Sequence, residues 1–320
     1  MALLVEARGL RKRFAEINAV DGISLQVAKG EVLGFLGPNG AGKSTTMKML
    51  AGFLEPDAGS ARIAGIDVFD NPIAAKRALG YMPEGAPAYG EMTTGAFLDF
   101  IGEIRGYRGD ELKRRIGAAV EKSALTSVLD QRIETLSKGY KRRVGIAQAI
   151  LHDPQVLIMD EPTDGLDPNQ KYHVRRLISE MAAEKAIIVS THILEEVEAV
   201  CSRAVIINKG RVVADGTADE LIRRLPHHGA VALKVPAERA EAVARALSGF
   251  GGIAMVETIG AANGRVHLRA MPRNGAPLAS DLAVFMREKA ITVDEYFIER
   301  GSLDDVFRRI TNPQEGAGHA

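Results

Sequence analysis

The sequence predicts an α/β protein made of two domains, and three observations favour this fold class. The apolar segment from Val32 to Leu36 leads directly into a glycine-rich loop and then a helix. A second apolar segment, Val156 to Met159, ends in two carboxylates. Buried strands that run into polar loops before a helix are typical of parallel α/β sheets. Beyond residue 230 the order of elements changes, so a small α+β domain is expected to follow.

Length and composition indicate a folded protein without a bulk electrostatic preference. The chain has 320 residues, of which 46% are hydrophobic and 26% charged, and its formal net charge is zero. This balance gives no general attraction to nucleic acid, which is not expected as a partner. The single cysteine, Cys201, rules out an internal disulfide and favours a reducing compartment. No signal-peptide pattern or apolar run of about 18 residues occurs, so a membrane role would be peripheral.

The spacing of apolar residues places the elements of the first domain, which is expected to cover residues 1–225. Apolar residues at helical spacing predict a mostly helical subdomain over about residues 93–135. Asp167 followed by Pro168 predicts the N-cap and first residue of a helix. Strands are predicted at residues 3–5, 23–27, 32–36, 156–159, 186–189 and 205–207.

The second domain is expected over residues 230–311, after a boundary at Pro226 to Gly229. Its predicted elements follow the order β-α-β-β-α-β of a ferredoxin-like domain. A last helix is predicted from Ser302, and residues 312–320 are expected to form a tail outside the fold. This domain carries no catalytic constellation. We interpret it as an accessory or regulatory domain that stabilises a dimer or binds a regulatory partner.

The glycine-rich loop, residues 37–44, matches the pattern G-x-x-x-x-G-K-[ST]. The backbone amides of such a loop cradle phosphate oxygens, and the next helix points its N-terminus at the same anion. Lys43 is expected to reach the β- and γ-phosphates, and Ser44 to hold Mg²⁺. The predicted phosphate-binding residues are Gly37, Asn39, Gly40, Ala41, Gly42, Lys43, Ser44 and Thr45.

Two carboxylates and a histidine lie at the ends of two later predicted strands. One carboxylate can orient Mg²⁺ while the next accepts a proton from the attacking water, and we assign these roles to Asp160 and Glu161 respectively. His192 ends the next predicted strand, and we expect it to contact the γ-phosphate. A GTPase is disfavoured, because the only Asn-Lys pair, Asn208-Lys209, lacks the aspartate that would read guanine.

Six segments in one order resemble the motifs of ATP-binding cassette (ABC) proteins. The glycine-rich loop is followed by Gly80-Tyr-Met-Pro-Glu84, Leu136-Ser-Lys-Gly-Tyr140, Asp160-Glu161, Thr163-Asp-Gly-Leu-Asp167 and His192. The resemblance covers residues 1 to about 225. It implies a P-loop NTPase with a RecA-like core, an antiparallel β-subdomain and an α-helical subdomain. It also implies a Mg²⁺-dependent ATPase whose cofactors are ATP and Mg²⁺.

The resemblance also implies roles for particular residues. Phe14 resembles the aromatic residue that stacks on adenine, with Val20 beside it. Glu84 replaces the family's usual Gln and would still offer an oxygen to Mg²⁺. Asp167 belongs to the segment that the family calls the D-loop. The signature residues that bind the γ-phosphate of the opposite subunit would be Ser137, Lys138, Gly139 and Tyr140, with Lys138 and Tyr140 departing from the usual Gly and Gln.

The expected partners follow from the same resemblance. They are a second cassette in a head-to-tail dimer and a membrane permease on a separate chain, with room for a periplasmic or accessory subunit. The variant motifs resemble an exporter branch that includes gliding-motility, sodium-efflux, drug-resistance and copper-maturation ATPases, placed at the cytoplasmic face of the membrane. Two alternatives stay open at this point: a soluble ABC ATPase of translation or DNA repair, and a regulator with a degenerate site.

Overall fold

The structure is a computed structural model that describes residues 2–85, 89–273 and 278–311. It divides into two compact units, Met1–Thr217 and Ala218–Ala320. The division falls earlier than the predicted end of the first domain at residue 225. The reason is that the short helix Ala218–Ile222 packs on the last helix, Leu303–Thr311, and so belongs to the second unit. The predicted tail, residues 312–320, lies outside the described residues.

The first unit combines two sheets with a set of helices. The strands are β1 (Leu3–Phe14), β2 (Ile17–Ala28), β3 (Val32–Leu36), β4 (Ala58–Ile63), β5 (Ile66–Asp67), β6 (Leu79–Met82), β7 (Val156–Asp160), β8 (Ala186–Thr191), β9 (Arg203–Asn208) and β10 (Arg211–Gly216). The helices are α1 (Lys43–Leu50), α2 (Pro72–Ala78), α3 (Thr94–Ile104), α4 (Gly109–Lys122), α5 (Lys138–Ile150), α6 (Pro168–Ala182) and α7 (Leu194–Val200).

A six-stranded sheet with the order β10-β9-β3-β8-β7-β6 forms the centre of the first unit. All of its neighbouring strands are parallel except the hairpin of β9 and β10. Every residue of β3, β7 and β8 is buried, as expected where helices cover both faces of a parallel sheet. Because the carboxyl ends of these three strands meet at one edge, the sheet brings the segments that follow them together. The predicted α/β class is confirmed.

A second, antiparallel sheet has the order β2-β1-β4-β5. The strand β1 runs from Leu3 to Phe14, whereas the sequence predicted only residues 3–5. The charged residues on its exposed side and a register shift between Ala7 and Leu10 interrupt the simple alternation that marks a strand. Gly9, with φ of 57°, supplies the irregular backbone at that shift. The inward side is nonetheless apolar, with Val5, Ala7 and Leu10 all buried.

The helices α3 and α4 form the predicted helical region, and they pack with α5 around a separate apolar core that includes Phe97, Leu98, Val120 and Leu125. Thr93 caps α3 by accepting a hydrogen bond from the Ala96 amide at 3.2 Å. None of the described helices is both long and apolar enough to cross a bilayer.

The second unit begins with the short helix α8 (Ala218–Ile222). It continues with β11 (Val231–Pro236), α9 (Ala240–Ser248), β12 (Ile253–Ala262), β13 (Arg265–Pro272), α10 (Ala279–Glu288), β14 (Glu295–Ile298) and α11 (Leu303–Thr311). Its antiparallel sheet has the order β12-β13-β11-β14, so the predicted ferredoxin-like topology is confirmed. The last strand, β14, has only four residues, and Ile291 and Val293 in the connection before it pack on the core.

Candidate active site

The glycine-rich loop connects β3 to α1 and bends in a way that requires glycine at two positions. A Cβ atom at Gly42, where φ is 105°, would collide with the carbonyl oxygen of Ala19. At Gly37 it would lie 2.7 Å from the carbonyl oxygen of Ile207. Val20 is buried, with its Cγ2 atom 3.5 Å from that hypothetical Cβ at Gly42, so it lies directly beside the loop. The strand β2 therefore packs against the phosphate loop and supports it.

Lys43 is buried within this loop, with only 7% of its surface exposed. Its Nζ atom donates hydrogen bonds to the carbonyl oxygens of Gly37 at 2.7 Å and Pro38 at 3.3 Å. Burial lowers the pKa of Lys43, and the carboxylates of Glu161, Asp160 and Glu84 act in the opposite direction. The charges of three carboxylates, from two separate parts of the chain, therefore act on this one ammonium group.

Asp160 ends β7 and is almost completely buried. It pairs in register with Ser190 of β8, whose hydroxyl donates a hydrogen bond to the Asp160 carboxylate. No group of three or more His, Cys, Asp or Glu side chains placed to hold a metal occurs among the described residues. Mg²⁺ bound with nucleotide needs only one or two protein ligands, because phosphates and water complete its shell. An Asp carboxylate and a Ser hydroxyl, here Asp160 and Ser44, fit that donor set.

Glu161 and His192 lie in direct contact. The His192 Nδ1 atom is 3.0 Å from both carboxylate oxygens of Glu161. The Glu161 amide donates to the Ser190 carbonyl oxygen at 3.0 Å, and the Glu161 backbone has φ of 51°. Burial raises the pKa of Glu161, while the hydrogen bond from His192 and the charge of Lys43 partly oppose that rise. A buried carboxylate with a raised pKa suits a residue that accepts a proton from water.

The predicted signature residues lie at the N-terminus of α5. Ser137 is the N-cap and accepts a hydrogen bond from the Tyr140 amide at 3.4 Å. Gly139 packs against the amide end of the Gln170 side chain, which would have to shift to make room for a Cβ at this position. Lys138 lies against Gly165, with its Cδ atom 3.3 Å from a Cβ built on that glycine. The signature therefore adjoins the segment that leads from the carboxylates into α6.

The predicted N-cap at Asp167 is confirmed, and Phe14 has an exposed ring. Asp167 is the N-cap of α6 and accepts a hydrogen bond from the Gln170 amide at 2.9 Å. Phe14 ends β1 and keeps 47% of its surface exposed, with the Lys12 Nζ atom 5.9 Å from its ring centroid. An exposed aromatic face is available for stacking on a planar base.

Glu84 is exposed in the loop that follows β6, and residues 86–88 of that loop lie outside the described chain. The next residue, Gly85, accepts a hydrogen bond at its carbonyl oxygen from Arg142 of α5 at 3.3 Å. Sequence reasoning assigned no specific role to Arg142 and did not single out Ser190. The parallel register of β7 and β8 is the signal that identifies Ser190, because it sets that hydroxyl opposite Asp160.

Comparison with known proteins places these features in a family. The model of the family described as ABC transporter matches residues 20–164. The linearmycin resistance ATP-binding protein LnrL of Bacillus subtilis is 37% identical over 223 residues, covering 69% of this chain and 72% of that protein. The Nod factor export ATP-binding protein I of Ralstonia nicotianae is 32% identical over 309 residues, covering 96% of this chain and 94% of that protein.

Solved structures agree with this placement. A structure described as the ATP-binding subunit of an ABC transporter has a TM-score of 0.64 and 34% identity, covering 69% of this chain and 92% of its own. A dimeric bacterial ABC transporter cassette has a TM-score of 0.62 at 21% identity, covering 67% of this chain and 98% of its own, and it supports the fold alone. The alignment with the Ralstonia protein extends over nearly the whole chain and so includes the second unit.

Proposed function

The chain belongs to the ATP-binding, ATP-hydrolysing subunits of ABC transporters, and we propose that it powers export through a membrane permease on a separate chain. The observation that carries the proposal is the convergence of Lys43, Asp160, Glu161 and His192 at one edge of the parallel sheet. Export is supported by relatives named for resistance and for Nod factor export. Those names also favour a transporter over a soluble ATPase of translation or DNA repair.

Each residue of the site has its own role in the proposed hydrolysis of ATP. Lys43 would exchange its bonds to the Gly37 and Pro38 carbonyls for phosphate oxygens. When bound, Mg²⁺ would neutralise phosphate charge, and Ser44 and Asp160 would hold it.

Glu161 accepts a proton as water attacks the γ-phosphorus and the bond from that phosphorus to the ADP oxygen breaks. The Nδ1–H group of His192 donates a hydrogen bond to the Glu161 carboxylate and so orients it. In this proposal the imidazole of His192 also contacts the γ-phosphate.

A head-to-tail dimer completes the site in this proposal. Ser137 and Lys138 are exposed at the N-terminus of α5, and that helix presents free backbone amides there. Lys138 and Gly139 of the signature contact Gly165, in the loop before α6, and Gln170, in the first turn of α6, respectively. Signature residues exposed in this way are free to contact the γ-phosphate held by a second copy.

A groove on the first unit supplies a docking site for the permease. It encloses about 990 Å³ and is bordered by α2, the end of β6 and α3. Three apolar side chains at its border are strongly exposed: Phe53 at 64%, Ile73 at 72% and Ile104 at 66%. Its charged lining residues are all basic: Lys48, Lys76, Arg77 and Arg105.

An apolar groove with a basic border fits a short amphipathic segment that carries a carboxylate. We therefore propose that a cytoplasmic segment of the permease occupies it. The groove is also lined by Pro83 and Gly85, which flank Glu84, so that nucleotide binding and permease docking would share one loop. The chain would then be a peripheral subunit at the cytoplasmic face of the membrane.

The substitution Glu161→Gln tests the proposed chemistry. The amide keeps the shape of the side chain but cannot accept the proton, so hydrolysis should fall by about a hundredfold or more. ATP binding should persist, because Lys43 and the glycine-rich loop are unchanged. Light scattering with Mg²⁺-ATP should then detect a stable dimer.

The matched control is the double variant Lys43→Ala/Glu161→Gln, which lacks the phosphate-binding ammonium and should stay monomeric in ATP. Full turnover by Glu161→Gln would refute the assignment of the proton acceptor. A Glu161→Gln variant that binds ATP without dimerising would refute the dimer.

A further inference from the structure

Arg142 of α5 is a buried cation with partners on two separate loops. Its side chain is only 9% exposed. One terminal nitrogen donates to the carbonyl oxygen of Gly85 at 3.3 Å, and the other lies 3.6 Å from a carboxylate oxygen of Asp164. Gly85 follows Glu84 after β6, and Asp164 lies in the loop of residues 161–167, here called the carboxylate loop. A guanidinium group with its planar fork of donors can bridge two such partners, whereas a lysine ammonium cannot do so in the same geometry.

The two partners of Arg142 lie in exposed turns, whereas the arginine itself is buried. Both loops turn at glycines in the left-handed region, Gly85 with φ of 99° and Gly165 with φ of 70°. Arg142 extends from a helix whose neighbouring residues, Val144 to Ala147, are buried in the core. The separation of 3.6 Å between Arg142 and Asp164 is an ion-pair distance that exceeds a hydrogen-bond distance, so a small shift of the carboxylate loop would turn this ion pair into a hydrogen bond or separate the two groups. The contact is therefore sensitive to loop position.

The same helix also carries the signature. Lys138 precedes Arg142 by one helical turn and lies against Gly165, so α5 touches the carboxylate loop twice along one face. Glu161 begins that loop and Asp167 ends it. The Gly85 carbonyl lies in the loop that lines the groove described above. Arg142 thus connects the groove, the proton acceptor and the signature helix.

We propose that Arg142 is a positioning residue that makes the Glu84–Gly85 loop and the carboxylate loop move together when nucleotide binds. It does not touch nucleotide and acts through Gly85 and Asp164. A change at the phosphates, sensed by Glu84, would shift Gly85, and Arg142 would pass that shift to Asp164 and hence to the segment between Glu161 and Asp167. The step from this coupling to the permease rests on the proposed function, but the coupling within the chain does not.

Hydrogen exchange on the isolated full-length chain tests the coupling directly. In the wild-type protein, Mg²⁺-ATP should change the exchange of peptides covering residues 79–85 and 161–167 together. In Arg142→Lys, which keeps the charge but loses the fork, the first segment should respond as in the wild type, and the second should respond less, because only the direct effect of nucleotide on Glu161 is left. Steady-state kcat should fall at least about fivefold, with the Kd for ATP changed by less than about twofold.

Two further variants separate coupling from mere stabilisation of α5. Asp164→Asn removes the charge of a residue whose side chain is 53% exposed, so it should fold normally and still reproduce the kinetic effect of Arg142→Lys. The double variant Arg142→Lys/Asp164→Asn should be no worse than either single one, because both remove the same contact. Arg114→Met, on an exposed arginine paired with Glu111, is the control and should behave as wild type.

Three results would overturn the role of Arg142. The first is a double variant in which the two losses of kcat add. The second is an Arg142→Lys variant with unchanged kcat, in which Mg²⁺-ATP still changes the hydrogen exchange of both segments together. The third is a wild-type chain in which the two segments respond to Mg²⁺-ATP independently or not at all. Failure to find a membrane partner would refute the proposed function instead, since none of these measurements uses one.

Discussion

Glu161 is subject to opposing influences on its pKa. Burial disfavours its ionised form and raises the pKa, whereas the contact with His192 and the nearby charge of Lys43 favour ionisation. The net result is a carboxylate whose pKa lies above that of an exposed Glu, so it is a stronger proton acceptor. His192 therefore contributes to the site by opposing the rise in the pKa of Glu161.

Replacing His192 with Ala should move the acid limb of the pH–kcat profile to higher pH. Without the imidazole, burial acts on Glu161 with less opposition, so its pKa rises further. Because Glu161 must be deprotonated to accept the proton, activity is lost as pH falls through that pKa, and the loss would begin at higher pH. His173→Ala, on an exposed histidine of α6, should leave the acid limb in place. An acid limb that does not move in His192→Ala would contradict this role of the imidazole.

At the level of elements, the end of α5 is joined to β6 by a histidine that no motif marks. His152 lies just beyond α5 and is buried, and its Nε2 atom is 3.0 Å from the carbonyl oxygen of Leu79. Burial, assisted by the charge of Arg105, lowers the pKa of His152 to about 3. The ring is therefore neutral in the folded protein, and its Nε2 atom donates the hydrogen bond that holds the two elements together.

This buried histidine should make the first unit less stable in mild acid. The unfolded chain takes up a proton on His152 below the ordinary histidine pKa of 6.5, whereas the folded chain does not until about pH 3. Stability should thus fall as pH decreases through this window, by about 2 kcal/mol between pH 6.5 and 5. Urea unfolding of the wild type and of His152→Gln at both pH values measures it.

Gln keeps a donor for the Leu79 carbonyl but does not titrate, so the variant should lose less stability on acidification. His173→Gln serves as the control and should keep the wild-type dependence. Equal pH dependence in the wild type and His152→Gln would show that His152 is not responsible.

The elements also show what a sequence can and cannot predict. The glycine-rich loop, the carboxylates and the Asp167 cap were predictable because each requires particular residue types at fixed spacing. The length of β1 was not, since its exposed charges and the bulge at Gly9 hide the apolar side. The contacts of Arg142 with Gly85 and Asp164 depend on how distant segments meet in the fold. No local sequence pattern predicts contacts between residues that are distant in the chain.

For the whole molecule, the order of motifs predicted the first unit and the order of elements predicted the second. The structure divides the units after Thr217, because α8 follows the last strand of the first unit in sequence but packs on α11. The second unit carries no predicted site residue. We propose that it stabilises the cassette dimer or binds a regulatory partner, and its inclusion in the alignment with the Ralstonia export protein supports a role within a transporter.

Purification of the tagged chain from gently solubilised membranes of its native cell tests the central claim most directly. Mass spectrometry should find a multi-span membrane protein at one copy per cassette. Less of this membrane protein should be recovered with the variant Lys76→Glu, which reverses a charge at the groove. The control variant Lys113→Glu, which changes an exposed residue of α4, should recover as much as the wild type. Recovery of the chain only from the soluble fraction, with ribosomal or DNA-associated proteins, would contradict the transporter assignment while leaving the ATPase chemistry intact.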